Sequence, residues 1–188
     1  MSVYLDVPYV TQLKPGFEDP TGCWYASSCM VAYYFEAGPR LGVPDLYSRH
    51  IGGGRTGHYA TGSGYWKYLR ARSDNKSEHD VLAENEGLVP VAKAAGPHNF
   101  TLVEIENLLR KFGPLFFYWQ KSHSGNTYGH ASVIIGVDDK GKDVIYHDPE
   151  NAPNSRMKVT EFNNVRQQWK YAVMRKEGPE RFSGKTTG

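Results

Sequence analysis

Four residues of this chain carry side chains that together could perform nucleophilic chemistry: Cys23, His130, Asp148 and Gln12. A cysteine nucleophile needs a base, a group that orients the base, and donors for the developing oxyanion. Cys23 follows the turn-forming pair Thr21-Gly22 and begins an apolar stretch that predicts a buried helix. Because the N-terminus of a helix favours negative charge, this position favours the thiolate form of Cys23.

The second cysteine, Cys29, is expected to be a core residue without a reactive role. Six residues separate it from Cys23, so the two side chains point about 240° apart around the helix axis. They therefore should not form a disulfide. Cys29 also lies among apolar neighbours in the middle of the predicted helix, where a cysteine behaves as a small hydrophobic residue.

Two histidines compete for the role of base. His130 begins one predicted strand and His147 ends the next, and a polar turn at residues 138–143 joins the two strands as a hairpin. In that hairpin, residue pairs whose numbers sum to about 278 should face each other, which places His130 opposite Asp148. Since successive strand residues point to opposite faces, His147 is expected to be a structural histidine.

The remaining elements predict an α+β fold, with a helical half that carries the nucleophile and an antiparallel sheet half that carries His and Asp. Thr101 and Glu104 have the spacing of a capping box, and apolar residues at helical spacing continue to Phe112. The later strands are expected at residues 115–119, 130–137, 143–147, 156–160 and 171–175, with a short helix around 162–169.

A single domain is expected over residues 1–175, followed by a polar tail, 176–188, that should be disordered. The first residues, 3–10, predict an edge strand or extended arm because they alternate weakly and contain a proline. The glycine-rich segment 48–64 predicts a surface loop, either a linker or a flap that contacts substrate. Residues 63–71 predict a short helix.

Composition excludes several classes of partner. The 188 residues include 22 basic and 20 acidic side chains, for a net charge of +2, which indicates neither nucleic acid nor an anionic membrane as partner. No apolar run approaches the ~20 residues of a membrane helix, and the amino terminus lacks the pattern of a secretory signal. No metal or cofactor is expected. A metal site would have to use Cys23, His130, His147 and Asp148, or His50 and His58, and neither set has the close spacing of known ligand pairs.

The order of these motifs resembles papain-like cysteine peptidases. It is similar, more narrowly, to the bacterial branch that contains the AvrRpt2-type (C70) effector proteases and the bacteriocin-processing (C39) peptidases. The segments that carry the resemblance are Val7-Pro8-Tyr9-Val10-Thr11-Gln12, Gly22-Cys23-Trp24-Tyr25-Ala26, Gly129-His130-Ala131 and Asp148-Pro149. The resemblance implies Cys23 as nucleophile, His130 as general base and acid, Asp148 as the residue that orients His130, and Gln12 as an oxyanion donor.

The function expected from these features is a cysteine endopeptidase that acts as a bacterial effector or interbacterial toxin. We expect it to reach the cytoplasm of a target cell by a route other than Sec, to cleave a protein at a glycine-containing segment, and to have an immunity or inhibitor protein as a partner. Two alternatives remain open at this point: an acyltransferase, amidase or deamidase that uses the same triad, and an inactive papain-like binding module.

Overall fold

The computed structural model describes residues 2–13, 22–36, 70 and 75–178. Its helices are α1 (Cys23–Glu36), α2 (Glu78–Glu86), α3 (Leu102–Phe112) and α4 (Val159–Val165), with a 3-10 turn at Ala92–Ala95. Its strands are β1 (Val3–Tyr4), β2 (Leu88–Pro90), β3 (Leu115–His123), β4 (Asn126–Asp138), β5 (Asp143–His147), β6 (Ser155–Lys158) and β7 (Val173–Lys176).

The described strands form one antiparallel sheet in the order β2-β7-β3-β4-β5-β6. The 13-residue strand β4 lies between β3 and β5, and β1 pairs with the part of β4 that extends beyond β3. Residue Gly136 makes this last pairing possible, because a Cβ at that position would lie 2.6 Å from the Val3 carbonyl oxygen. Helices α1 and α3 pack on β4, which confirms the α+β architecture.

Helix α1 is buried on every side from Tyr25 to Phe35, so it lacks a polar face. It packs against β3 and β4, and its aromatic and aliphatic side chains form the middle of the hydrophobic core. Among the helix residues whose burial is described, 23–35, only the first two, Cys23 and Trp24, are half-buried. The helix therefore begins at the surface and runs inward, and the core holds its first turn in place.

Helix α3 confirms the predicted capping box. The Thr101 side chain accepts a hydrogen bond from the Glu104 N–H, and the Glu104 carboxylate accepts one from the Thr101 N–H in return. The helix ends before Gly113, which has a φ of 73°. Gly113 also packs so closely against Phe35 of α1 that a Cβ there would lie 2.6 Å from the ring, which joins the end of α3 to the core.

Three elements differ from the expectations. Helix α2 was not predicted, because Val81, Leu82 and Ala83 give it only one short apolar group. Helix α4 begins at Val159, earlier than the expected 162–169. Strand β7 includes Lys176, which is buried, although the sequence analysis assigned that residue to the tail.

The connection between β3 and β4 also differs. The sequence analysis ended one strand at residue 119 and began the next at residue 130, but the strands continue to His123 and Asn126 and are joined by the two-residue turn Ser124-Gly125. Both turn residues have positive φ, 50° and 79°, as a tight hairpin requires. Side chains 122–127 are exposed on both faces, so the usual alternation of buried and exposed positions is absent there.

The predicted register of the β4–β5 hairpin is wrong by two to three residues. Val137 pairs with Val144 and Asp138 with Asp143, which leaves a four-residue turn. A bulge between Ile134 and Gly136 then shifts the pairing so that Val133 faces His147. The prediction assumed an uninterrupted ladder, and such bulges carry no clear sequence signal when both strands are apolar.

Some predicted features lie outside the described residues: the segment 48–64, the helix 63–71 apart from Arg70, His50 and His58, and the tail from residue 179 onward. The extended arm at 3–10 is confirmed by β1 and by the buried side chains Val3, Leu5, Val7 and Val10. Within the described ranges, no helix has both the length and the apolarity needed to span a bilayer.

Candidate active site

Cys23 is the first residue of α1 and lies at the edge of the core. The carbonyl of Gly22 accepts the N–H of Ala26 at 2.9 Å, so the helical hydrogen bonds begin one residue before Cys23. The thiol is free and half-buried. Since the first N–H groups of a helix have no intrahelical acceptor and carry partial positive charge, a thiolate is favoured at this position.

His130 lies on β4 and bonds to Asp148. Its Nε2 atom lies 2.7 Å from Oδ1 of Asp148, and Cys23 lies near enough to the ring to help raise its pKa. Because Asp148 occupies Nε2, the other ring nitrogen, Nδ1, is the one that is left for the thiol. The structure therefore pairs His130 with Asp148 and has Cys23 in the neighbourhood of the ring.

The environment of His130 raises its pKa. Burial by itself acts to lower the pKa, since it disfavours the charged ring, but the hydrogen bonds with Asp148 and Cys23 and the negative charges of both partners outweigh this effect. The edge of the ring also packs against Trp119 at 5.7 Å between centroids. An imidazolium is therefore stabilised between the sulfur and the carboxylate.

Asp148 follows directly after β5 and is almost fully buried. Its Oδ1 atom accepts both the His130 ring and the backbone N–H of Glu150, at 3.0 Å, so the residue also forms the turn that ends the strand. Burial acts to raise its pKa, but hydrogen bonds and charge from His130 and Lys121 lower it to about 2. The group is thus a carboxylate at every physiological pH.

Gln12 reaches the same turn from the N-terminal segment. Its backbone N–H donates to the Pro149 carbonyl at 2.9 Å, and its side chain is buried. Two neighbours fix the segment further: the Thr11 hydroxyl donates to the Pro149 carbonyl at 3.0 Å, and the Tyr9 hydroxyl donates to the Asp148 carbonyl at 2.9 Å. The segment that carries Gln12 is therefore attached to the turn that carries Asp148.

His147 lies away from this group. Its Nδ1 atom accepts the N–H of Asn154 at 3.2 Å, so Nε2 carries the proton and donates to the Val7 carbonyl at 2.9 Å. The ring is fully buried and packs edge-on against Tyr9. These contacts agree with the prediction that His147 is a structural histidine that holds the N-terminal segment on the sheet.

The sequence analysis missed several residues that surround the His130–Asp148 pair. Lys121 donates to Oδ2 of Asp148 at 2.7 Å and to Oε2 of Glu150 at 2.6 Å, and Tyr128 donates to the same Glu150 oxygen at 2.6 Å. Lys121 was overlooked because the predicted strand ended at residue 119. Its position two residues after the buried Trp119, on the same face of β3, was the available signal.

The same contacts bear on the alternative of a metal site. Among the described residues, His130, Asp148 and Glu150 have ligand-type atoms within 4.8 Å of one another. The ammonium of Lys121 already contacts both carboxylates and supplies the positive charge that they would otherwise seek from a cation. The set that included His147 is not assembled, since both nitrogens of that ring are engaged elsewhere.

A comparison with protein families shows the family to which the chain belongs. A family model described as papain-like cysteine protease AvrRpt2 matches residues 1–167. The chain belongs to this family. The matched stretch contains Gln12, Cys23, His130 and Asp148, and it ends before β7.

Membership in the AvrRpt2 family confirms several expectations. The fold is papain-like and α+β, and the protein is a cysteine protease, which is a hydrolase whose substrates are proteins. Of the two bacterial groups that the sequence resembles, the family match supports the AvrRpt2-type group. The roles of the individual residues are a separate question and rest on the geometry described above.

Proposed function

We propose that this protein is an endopeptidase that uses Cys23 as nucleophile, His130 as general base and acid, and Asp148 as the orienting residue. One observation carries the proposal: the His130 ring bonds to the Asp148 carboxylate at 2.7 Å and lies near enough to Cys23 for that residue to help raise the pKa of the ring. The thiol is partly accessible, whereas His130 and Asp148 are buried behind it. A peptide can therefore approach the sulfur, and the ring behind it is held by the carboxylate.

In the proposed mechanism His130 holds the proton of the thiol, and the Cys23 thiolate attacks the scissile carbonyl carbon. The imidazolium then gives its proton to the leaving amine as the carbon–nitrogen bond breaks, which leaves a thioester on Cys23. Water attacks this thioester as it gives a proton to His130. The carbon–sulfur bond then breaks, which releases the acid product and regenerates the Cys23 thiol. Asp148 remains ionised throughout and stabilises the imidazolium.

The tetrahedral intermediates need donors for their oxyanion. We assign this role to the backbone N–H of Cys23, at the start of α1, and to the side-chain amide of Gln12. The support for Gln12 is its burial and the bond from its backbone to Pro149, which fixes it beside the turn that carries Asp148.

Two grounds support a proposal for the biological setting. One is the family, and the other is the cleavage at glycine-containing segments that we expect from the sequence. We infer that the protease acts as an effector or toxin in the cytoplasm of a target cell, after delivery by a route other than Sec. Its substrates would be flexible protein segments that contain glycine, and an inhibitor or immunity protein would be its partner. The single-domain assignment for residues 1–175 belongs to the same proposal.

The direct test is cleavage by the purified protein. Wild type and Cys23→Ala are incubated with a proteome-derived peptide mixture, and new amino termini are identified by mass spectrometry. We expect new termini from wild type only. Cys29→Ala is the matched control, since Cys29 is buried in the same helix, and it should cleave like wild type.

The products also separate the alternatives. A peptidase yields two fragments, whereas a deamidase leaves one chain with a slightly greater mass and an acyltransferase yields a conjugate. A binding module gives none of these products, and its Cys23 would react with iodoacetamide equally with and without His130. If wild type produces no new termini but shows one of the other product types, the peptidase assignment is wrong and the triad is retained.

A further inference from the structure

A buried ammonium group lies directly behind the His130–Asp148 pair. Lys121 is only 4 % exposed, and its Nζ atom lies 2.7 Å from Asp148 and 2.6 Å from Glu150. A lysine is seldom buried unless it is paired with acidic groups. Here both partners are carboxylates, and one of them is the residue that contacts His130.

The strand register explains how Lys121 reaches this position. On the β3–β4 ladder, Trp119 faces His130 and Lys121 faces Tyr128, so all four side chains share one face of the sheet. The Lys121 ammonium lies 6.0 Å from the centre of the Trp119 ring. This hairpin thus places Lys121 on the same face of the sheet as His130, two residues along β3 from the residue that faces His130.

The two oxygens of Asp148 are divided between two cations. Oδ1 accepts hydrogen bonds from the His130 ring and the Glu150 N–H, while Oδ2 accepts one from the Lys121 ammonium. With both oxygens engaged, the carboxylate cannot rotate without breaking a charged hydrogen bond. Lys121 therefore fixes the plane of the carboxylate that receives the His130 Nε2–H group.

Lys121 also separates two negative charges. Ligand-type atoms of Asp148 and Glu150 lie within 4.8 Å of each other, and like charges at this distance in a buried site destabilise both ionised forms. Burial acts to raise the pKa of Glu150, but hydrogen bonds from Lys121 and Tyr128 and the charges of Lys121 and His130 lower it. Without the ammonium, the carboxylates would repel each other, move apart or share a proton.

Among the described residues, four tyrosines also lie around the site and stay neutral at pH values where the protease would work, and burial lowers the pKa of His79, which bonds to one of them, Tyr118. Burial, followed by the nearby acidic groups, raises the pKa of Tyr128 and of Tyr146 to about 12. Burial likewise raises the pKa of Tyr118 and of Tyr9. The negative charge of Cys23 raises the first further, and that of Asp148 raises the second. In the part of the chain that the structure describes, the groups of this cluster that carry or change charge are therefore Cys23, His130, Asp148, Glu150 and Lys121.

We propose that Lys121 is a positioning residue of the peptidase site: its ammonium holds the Asp148 carboxylate in the orientation that His130 needs and cancels the repulsion between Asp148 and Glu150. This inference rests on the proposed Cys23–His130–Asp148 triad. Lys121 acts through Asp148 and does not touch the substrate. Glu150 and Tyr128 complete the arrangement by holding the lysine from its other side.

The test measures the reaction of Cys23 with iodoacetamide as a function of pH, which reports the thiolate without any substrate. Lys121→Met keeps the length of the side chain and removes its charge. The site then carries one more net negative charge and a loosened Asp148, and both changes disfavour the thiolate. We expect the midpoint of the alkylation profile to move up by about one pH unit, which means up to about tenfold slower alkylation at pH 6, the full factor applying where pH 6 lies below both midpoints.

A double variant separates charge from packing. Lys121→Met with Glu150→Gln removes one positive and one negative charge, so the repulsion on Asp148 is relieved while the lysine ammonium is still absent. We expect its alkylation rate at pH 6 to return to within about threefold of wild type. A purely structural role of Lys121 would leave the single and double variants equally slow. The matched surface control is Lys76→Met, because Lys76 forms an exposed ion pair with Glu84 at 2.6 Å.

The outcomes decide the inference independently of peptide cleavage. A folded Lys121→Met protein with the wild-type profile overturns it, and so does a folded double variant that is as slow as the single one. If Lys121→Met does not fold, the double variant decides by the same threefold criterion. His130→Ala in the same assay tests the proposed function: if its profile equals that of wild type, the Cys23–His130 pair itself is wrong, whereas an effect of His130→Ala without one of Lys121→Met refutes only the role of Lys121.

Discussion

The His130 ring donates to Asp148 across 2.7 Å, although the two residues are not opposite each other in the β4–β5 ladder. Val133 faces His147, so continuation of the same pairing would place Ser132 opposite Asp148. His130 is the diagonal neighbour, two residues further along the same face of β4. Diagonal neighbours lie about 7–8 Å apart at their Cα atoms, which a histidine and an aspartate together can span.

The charge of Asp148 should matter more than its shape. Asp148→Asn keeps an oxygen that can accept from His130 but loses the charge that stabilises the imidazolium. We expect kcat/KM for peptide cleavage to fall by about 10- to 100-fold, with most of the loss in kcat. Asp143→Asn is the control, since Asp143 begins the same strand and binds Lys158 far from the site. Equal losses in the two variants would contradict the assigned role.

The ionisation of Asp148 should make stability depend on acid. Its pKa is lowered to about 2 in the folded protein, against about 3.9 for an unfolded chain. The stabilisation is therefore complete above about pH 4 and lost as pH falls from about 4 to about 2, and it is on the order of 2 kcal/mol. Urea unfolding of wild type and Asp148→Asn measures this, because other carboxylates contribute equally to both proteins. A difference in unfolding free energy that stays constant between pH 5 and pH 2 would refute the prediction.

His147 should be needed for stability and not for the chemical step. His147→Ala removes two buried hydrogen bonds, to Val7 and Asn154, and leaves a cavity. We expect the free energy of unfolding to fall by about 2–4 kcal/mol. The kcat/KM of the folded fraction should fall by less than about tenfold, whereas His130→Ala should abolish cleavage. Loss of cleavage by a folded His147→Ala protein would show that the two histidines have been assigned the wrong way round.

Gly136 should tolerate no side chain. A Cβ at this position would lie 2.6 Å from the Val3 carbonyl oxygen and 3.2 Å from the Cα of Tyr4, both of which belong to the backbone. Gly136→Ala should therefore push β1 away from β4 and destabilise the protein by about 1–3 kcal/mol. Gly96→Ala is the matched control, since nothing lies within 4 Å of a Cβ there, and it should change stability by less than about 0.5 kcal/mol. Chemical denaturation of both variants provides the measurement.

Local signals were sufficient to predict some elements from the sequence. The helix Leu102–Phe112 was found because a capping box and a regular apolar spacing coincide there. The helix that begins at Cys23 was found from its turn residues and apolar content. Helix α2 has a capping box as well, Ser77 with Asp80, but too few apolar side chains follow it for the pattern to stand out.

Pairing between strands was harder to predict than the strands themselves. The bulge at Ile134 and the four-residue turn together changed the β4–β5 register, and neither has a local signature in an apolar strand. His130 and Asp148 nevertheless meet, since their side chains bridge a diagonal as readily as a direct pair. The position of Lys121 beside Asp148 could not be predicted without the β3–β4 register. The turn Ser124-Gly125 fixes that register, and the residues next to this turn have no buried face that would indicate it.

Because α1 is buried on all sides, the position of Cys23 at its first residue depends on the folding of the whole core. Since residues from Tyr25 to Phe35 have no exposed side, the helix cannot melt or shift alone without opening the hydrophobic centre. Gradual heating should therefore inactivate the enzyme in one step, at the temperature where the tertiary structure is lost. For the same reason, a substitution that opens this hydrophobic centre should inactivate the enzyme even where the substituted residue lies far from Cys23.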